Sequence, residues 1–171
     1  MLTHWPPLSR ASRRGVGRGS SYYCHVRNAV IKSANFSELD TETLYKLLQL
    51  RIEVFAVEQK SIYQDLDGRD CEPETQHIWA EHEGVPLSVL RVLKGPGDSS
   101  QIGRVCTARQ ARGNGLAARL IELACRENPG DIWLHGQLYL RSWYESFGFI
   151  TESDEFAIDG IPHIAMRLSR S

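Results

Sequence analysis

Cysteine is scarce and unpatterned. The 171-residue chain has four, Cys24, Cys71, Cys106 and Cys125, and none stands in a CxxC or CxxH spacing. Zinc and disulfide scaffolds are therefore not expected, and no metal site is assigned; the usage suits a reducing cytoplasm. Cys106 and Cys125 fall inside apolar patterns and read as small core residues. No apolar run approaches the roughly 18 residues that a membrane-crossing helix requires, so no membrane partner is expected. Internal repeats are absent, and the length supports one core but not two ordinary domains.

Acidic residues are missing from positions 1–37, which carry Arg10, Arg13, Arg14, Arg18, Arg27 and Lys32. The overall net charge of −1 therefore hides an asymmetry: residues 38–171 hold 14 of the 20 bases and all 21 acids. An acidic body disfavours nucleic acid and is compatible with a cationic amine as substrate. Residues 1–25 are rich in Ser, Arg and Gly, include Pro6-Pro7 and lack apolar periodicity, so they are predicted to form a disordered basic tail before a domain spanning 26–171. The same composition resembles an organelle-targeting peptide, and a start codon placed too far upstream is a third reading; the expectation is a dispensable tail on a cytoplasmic protein.

The densest chemical signal is Arg112-Gly113-Asn114-Gly115-Leu116-Ala117. It follows the apolar run Ile102–Cys106 and opens a helical pattern through Leu116, Leu120, Ile121 and Ala124. A strand, a glycine turn and a helix start together present unpaired backbone N–H groups at the positive end of a helix dipole, which suits a phosphate or pyrophosphate. Leu116-Ala117 stand where a Walker A loop has Lys and Ser/Thr. A Rossmann fingerprint belongs at the first strand of a βαβ unit, whereas this loop lies two-thirds along the chain. The remaining alternatives are a plain helix entry turn and an acyl-CoA loop.

Arg112-x-x-Gly115-x-Ala117 and Gln110-x-x-Gly113-x-Gly115 both resemble the acetyl-CoA loop of the GNAT acetyltransferases, Q/R-x-x-G-x-G/A. About 30 residues on, Trp143-Tyr144-Glu145-Ser146-Phe147-Gly148-Phe149 is similar to that family's aromatic-Tyr-x-x-x-Gly-Phe segment, with a strand-like Ile132-Trp133-Leu134 between. Residues 44–70, including the stretch VFAVEQKSIYQDLDG, and the segment DGIPHIAM at 159–166 resemble the ElaA-like branch of the family. The resemblance covers roughly residues 40–168 and implies an acetyl-CoA-dependent enzyme acting on an amine acceptor, of a kind often dimeric.

Periodicity and turn signals predict strands at 28–33, 76–82, 87–93, 102–107, 132–136, 149–158 and 162–168, and helices at 41–57, 115–127 and 139–147. Residues 59–74 read as a loop. This β-α-β-β-β-α-β-α-β-β order is the GNAT order. It implies an α/β fold with a mixed, mainly antiparallel sheet, helices on both faces and two splayed central strands.

Acetyl transfer needs the cofactor held, the amine neutral, the developing oxyanion stabilised and the thiolate protonated. The resemblance assigns the pyrophosphate to the backbone of Arg112, Gly113, Asn114, Gly115, Leu116 and Ala117, with the Arg112 side chain adding charged hydrogen bonds. It assigns pantetheine and the oxyanion to the backbone around Val105, Cys106 and Thr107. Gln137 stands where relatives carry a cofactor-contacting Asn. Tyr144 is the candidate general acid, its alternative being a packed helix aromatic. For the general base Glu58, Glu81, His77 and His163 are open, as is a water chain. Cys106 lacks an evident paired base, so a covalent acyl-enzyme is not expected. The acids Asp65, Asp67 and Asp70 read as a structural or acceptor-binding loop able to recognise an ammonium group. The rival to an enzyme is an acyl-CoA-binding sensor without turnover; a nucleotide-binding enzyme is a distant third.

Overall fold

The structure, a computed structural model, describes Val26 and residues 28–170; the predicted basic tail and Cys24 lie outside the described residues. Among the described residues eight strands form one sheet: β1 (Val30–Asn35), β2 (Gln76–His82), β3 (Val85–Lys94), β4 (Ser100–Thr107), β5 (Ile132–Gln137), β6 (Ile150–Thr151), β7 (Phe156–Ile158) and β8 (Ile161–Leu168). Their spatial order is β1-β2-β3-β4-β5-β8-β6, with β7 also on β8. Two hairpin turns, Glu83-Gly84 and Asp159-Gly160, have consecutive positive φ values of 50° and 73° and of 51° and 78°. Such paired left-handed residues match the twist of the strands they join.

Every neighbouring pair is antiparallel except β4 and β5, which run parallel and meet only at Ser100–Gln101 against Ile132–Trp133. Beyond those two positions the strands part, as expected, and leave a gap in the middle of the sheet. Helix α1 (Thr41–Ile52) is capped by Asp40, whose Oδ1 accepts the Thr43 N–H at 2.8 Å. It continues as a wide π-type turn, Glu53–Glu58, so the predicted helix 41–57 is two pieces. Helix α2 (Leu116–Glu127) buries Leu116, Leu120, Ile121, Ala124 and Cys125. Each large apolar side chain sealed in this way contributes about 1.5–3 kcal/mol. β3 is buried from Pro86 to Leu93, because α1 and α2 both pack on it.

Two expectations are corrected. The helix predicted over 139–147 is the short α3 (Arg141–Glu145), preceded by a 3-10 turn at Leu138–Leu140. The strand predicted over 149–158 is broken into β6 and β7. Ala165 donates its N–H to Ser153 Oγ at 2.9 Å, so a side-chain oxygen replaces a backbone carbonyl in the ladder.

The loop acids do not offer free carboxylates. Arg51, 1% exposed, bridges Asp65 and Asp70 at 2.9 and 2.6 Å. Arg91 holds Asp67 through two bonds of 2.7 and 2.8 Å, and Arg104 reaches both Asp65 and Asp67. Three guanidiniums thus match three carboxylates in a closed cluster, and these acids are structural. His77 is buried beside it and donates from Nε2 to the Asp70 carbonyl at 3.1 Å.

This cluster makes stability acid-sensitive in two stages. Burial holds the His77 pKa below its ordinary 6.5, so below that pH the unfolded chain binds a proton that the folded chain refuses. The Arg91 hydrogen bonds hold Asp67 below its ordinary 3.8; at Asp70 burial pulls upward, but Arg51 and Arg91 outweigh it. Both carboxylates therefore contribute stability that is complete above that value and lost as pH falls beneath it. Urea midpoints measured across pH should hold level above about pH 7, decline below about 6.5 and fall more steeply below about 4. A midpoint unchanged from neutrality to about pH 5 would contradict the buried neutral imidazole.

Candidate active site

Helix α2 starts on Gly115, which has φ 73° and no side-chain cap. The first intrahelical bond runs from Arg119 N–H to the Gly115 carbonyl at 3.1 Å, so the N–H groups of Leu116, Ala117 and Ala118 have no helical partner. Gly113, with φ 75°, also lies in the left-handed region. A Cβ at either glycine would meet no atom within 4 Å, so the space beside the loop is open. Asn114 braces the turn through the Ala111 and Arg112 carbonyls at 3.1 and 2.9 Å. This is an open cradle of donors, and a pyrophosphate fits it.

A cleft of about 420 Å³ runs over this cradle, between residues 111–118, the end of β4 (Val105, Cys106, Thr107), Val54 and Gln59, and Tyr139, Leu140 and Trp143. A second, of about 250 Å³, lies in the gap between β4 and β5, with Phe55, Tyr63, Leu134, His135, Gln137, Tyr144, Ile158 and His163 on its walls. The clefts share Gln59, Val105, Tyr139 and Leu140, and together cross the sheet at its splay.

Several anticipated residues converge here. Tyr144 is 4% exposed, and its ring lies against β5 at Gly136, where any Cβ would come within 3.0 Å of it. Burial, reinforced by Tyr139, pushes its phenol above the ordinary value, so it keeps its proton at neutral pH. Its hydroxyl has no hydrogen-bond partner among the described residues. His163 lies on the same cleft, stacked on Phe156 with ring centres 6.4 Å apart. Its Nδ1 is 2.7 Å from the Ile161 carbonyl. A carbonyl only accepts, so Nδ1 carries the proton and the neutral ring keeps its lone pair on Nε2.

Other anticipated residues stand differently. Gln137 faces the second cleft, not the glycine loop, and donates to Gln59 Oε1 at 3.2 Å. Arg112 is held by Glu58 through bonds of 2.6 and 2.8 Å and donates Nε to the Thr107 carbonyl, which leaves the loop backbone to meet an anion. Arg112 keeps the Glu58 carboxyl below its usual range, and Glu58 lines neither cleft. Glu81 sits on β2, away from the splay, bonded to Lys32 at 2.7 Å and Trp79 Nε1 at 2.6 Å. Burial favours its neutral form, but Lys32 and Trp79 outweigh it and hold it ionised. His77 belongs to the buried cluster. Of the four base candidates, only His163 faces the cleft. Burial raises the Cys106 thiol to about 12, so it is protonated near neutrality.

Sequence reading missed His135, which shares the second cleft with His163 and points an edge at Phe156 from 5.2 Å. Its pKa is lowered by burial and by His163. It also missed a bulge in β4. Gly103 pairs with Arg91 and Cys106 with Val89, so Arg104 and Val105 together stand opposite Leu90. An isolated glycine inside a strand pattern was the available signal.

A family model for the acetyltransferase (GNAT) domain matches residues 38–170. The chain belongs to the GNAT acetyltransferase family. The family chemistry is acyl transfer, with an acyl-CoA as donor. Among curated relatives, a UPF0039 protein of Mycobacterium tuberculosis is 44% identical over 135 residues, covering 75% of this chain and 86% of the relative. Protein ElaA of Escherichia coli is 38% identical over 137 residues, covering 76% and 90%. Among solved structures, an acyl-CoA N-acyltransferase from Pseudomonas aeruginosa superposes with a TM-score of 0.78 at 36% identity, over 84% of this chain and all of that one. The crystal structure of Escherichia coli ElaA gives 0.77 at 33% identity, over 84% and 99%. The mostly antiparallel sheet with its splayed central strands is thus that of a GNAT chain with ElaA among its relatives.

Proposed function

We propose that the protein is a cytoplasmic N-acetyltransferase that moves acetyl from acetyl-CoA to a primary amine by direct attack in a ternary complex. The observation that carries this reading is the meeting at Val105 of the glycine-loop cleft with the cleft holding Tyr144 and His163. Acetyl-CoA supplies an activated thioester carbonyl. The N–H groups of Leu116, Ala117 and Ala118 hold its pyrophosphate. The Ala108 N–H donates to the Leu87 carbonyl and Cys106 stands opposite Val89, so alternation turns the backbone of Thr107 toward the gap, and Val105, in the bulge, lines both clefts. The Val105 N–H is there to meet negative charge growing on the carbonyl oxygen. His163 Nε2 takes the proton of the amine, and Tyr144 gives its own to the departing thiolate.

Calorimetric titration of the full chain with acetyl-CoA, ATP and NAD tests the donor, and a screen of amines with acetyl-CoA tests the acceptor. Micromolar binding of acetyl-CoA alone, followed by turnover, supports the reading; binding without turnover of any amine favours the sensor, and no binding removes both. Tyr144→Phe keeps the ring packed and deletes only the proton. It should lower kcat by roughly 10–100-fold while the dissociation constant of acetyl-CoA stays within about twofold. Equal losses in both would make Tyr144 a packing residue.

A further inference from the structure

Among the described residues, four other than glycine have positive φ: Lys60, Glu83, Arg104 and Asp159. Only Arg104, at 56°, lies inside a strand. It is the first of the two residues that bulge opposite Leu90, the position that glycine normally takes in a bulge with a left-handed first residue. Gly103, next to it, adopts no such conformation. A side chain is therefore kept at a site whose backbone prefers none, which calls for a role for that side chain.

The contacts of Arg104 identify the role. Its Nη2 donates to the Asp65 carbonyl at 3.0 Å and to Asp67 Oδ2 at 3.0 Å, and its Nε is 2.8 Å from Asp65 Oδ1. Its guanidinium lies 5.0 Å above the Tyr63 ring. Asp67 also grips Arg91 on β3, which stands opposite Gly103, so one carboxylate stitches both strands at the edge of the bulge. Asp65 is fixed in turn by the buried Arg51 of α1.

We infer that Arg104 is a positioning residue: the three-arginine, three-aspartate cluster clamps it in the left-handed conformation and thereby aims the Val105 N–H at the donor carbonyl. This rests on the acetyl-transfer reading above and adds to it a dependence of oxyanion stabilisation on Asp65, Asp67 and Asp70, which line neither cleft. Alanine at 104 would keep the backbone strain and remove the clamp, so the left-handed bulge should relax and the Val105 N–H lose its aim.

The test compares wild type with Arg104→Ala, Arg104→Lys and Asp67→Asn. Two unreactive probes are used: the ketone analogue of acetyl-CoA with a methylene in place of sulfur, and its counterpart lacking the carbonyl. Wild type should prefer the ketone about tenfold and shift the Val105 amide proton on binding it. Arg104→Ala should bind both probes alike, leave that proton unmoved and lose at least about tenfold in kcat, with the KM for acetyl-CoA within about twofold. Arg104→Lys, which keeps charge but not the planar two-nitrogen contact, should fall between, as should Asp67→Asn. An Arg104→Ala protein with wild-type probe preference and kcat would overturn the clamp. Absence of turnover in wild type would sink the acetyl-transfer reading but not this inference, which the probe preference and the amide shift judge alone.

Discussion

Gly115→Trp should abolish acetyl-CoA binding while leaving the protein folded. The two effects separate because of where the residue sits. A Cβ at Gly115 meets no atom within 4 Å, so a large side chain disturbs no packed neighbour and projects into the open space of the cradle. The left-handed backbone, φ 73°, makes any side chain cost about 1 kcal/mol, a small part of a domain's stability. An indole there covers the N–H groups that begin α2, the donors that would otherwise meet the pyrophosphate. Calorimetry should show a loss of at least about 100-fold in affinity, with a urea midpoint close to wild type. Gly115→Ala is the companion: it adds the backbone strain without the bulk and should weaken binding only severalfold. If Trp binds as wild type does, the loop is a structural helix entry and the donor site lies elsewhere. If Ala loses as much as Trp, loop geometry decides affinity and steric cover does not.

What could be read from the chain before its structure was local. The cradle depends on residues 112–117 and the helix they open, and Tyr144 on a helix a few residues long; both announce themselves within one turn of backbone. The strands of the antiparallel half could be read for the same reason, because two-residue turns such as Glu83-Gly84 and Asp159-Gly160 join them. The acid loop could not. Asp65, Asp67 and Asp70 looked available because their partners, Arg51, Arg91 and Arg104, come from a helix and two strands and meet them only in the fold. Glu81 misled for a related reason: its position along a strand is visible, but its place on β2, two strands away from the splay and beside Lys32 of β1, is not. The break between β6 and β7 depends on a single serine hydroxyl and has no periodic signature.

The choice of base also needed three dimensions, and His163→Asn tests it. The neutral amine attacks the donor carbonyl and must shed a proton as it does, so the site requires an unprotonated nitrogen or oxygen on the acceptor side. Glu58 and Glu81 are bound to cations, and His77 is sealed against Asp70. His163 faces the cleft with its proton fixed on Nδ1 by the Ile161 carbonyl, leaving Nε2 to accept. Asparagine can reproduce the Nδ1–H donor with its amide nitrogen but has no basic atom, so local structure is preserved and the base is removed. With saturating amine, kcat should drop by roughly 10²–10⁴-fold at an unchanged KM for acetyl-CoA. Full activity in the Asn protein would pass the role to a water chain or to His135, whose depressed pKa keeps it neutral on the same wall. A parallel His135→Asn protein separates those two: it fails only if that imidazole is the base.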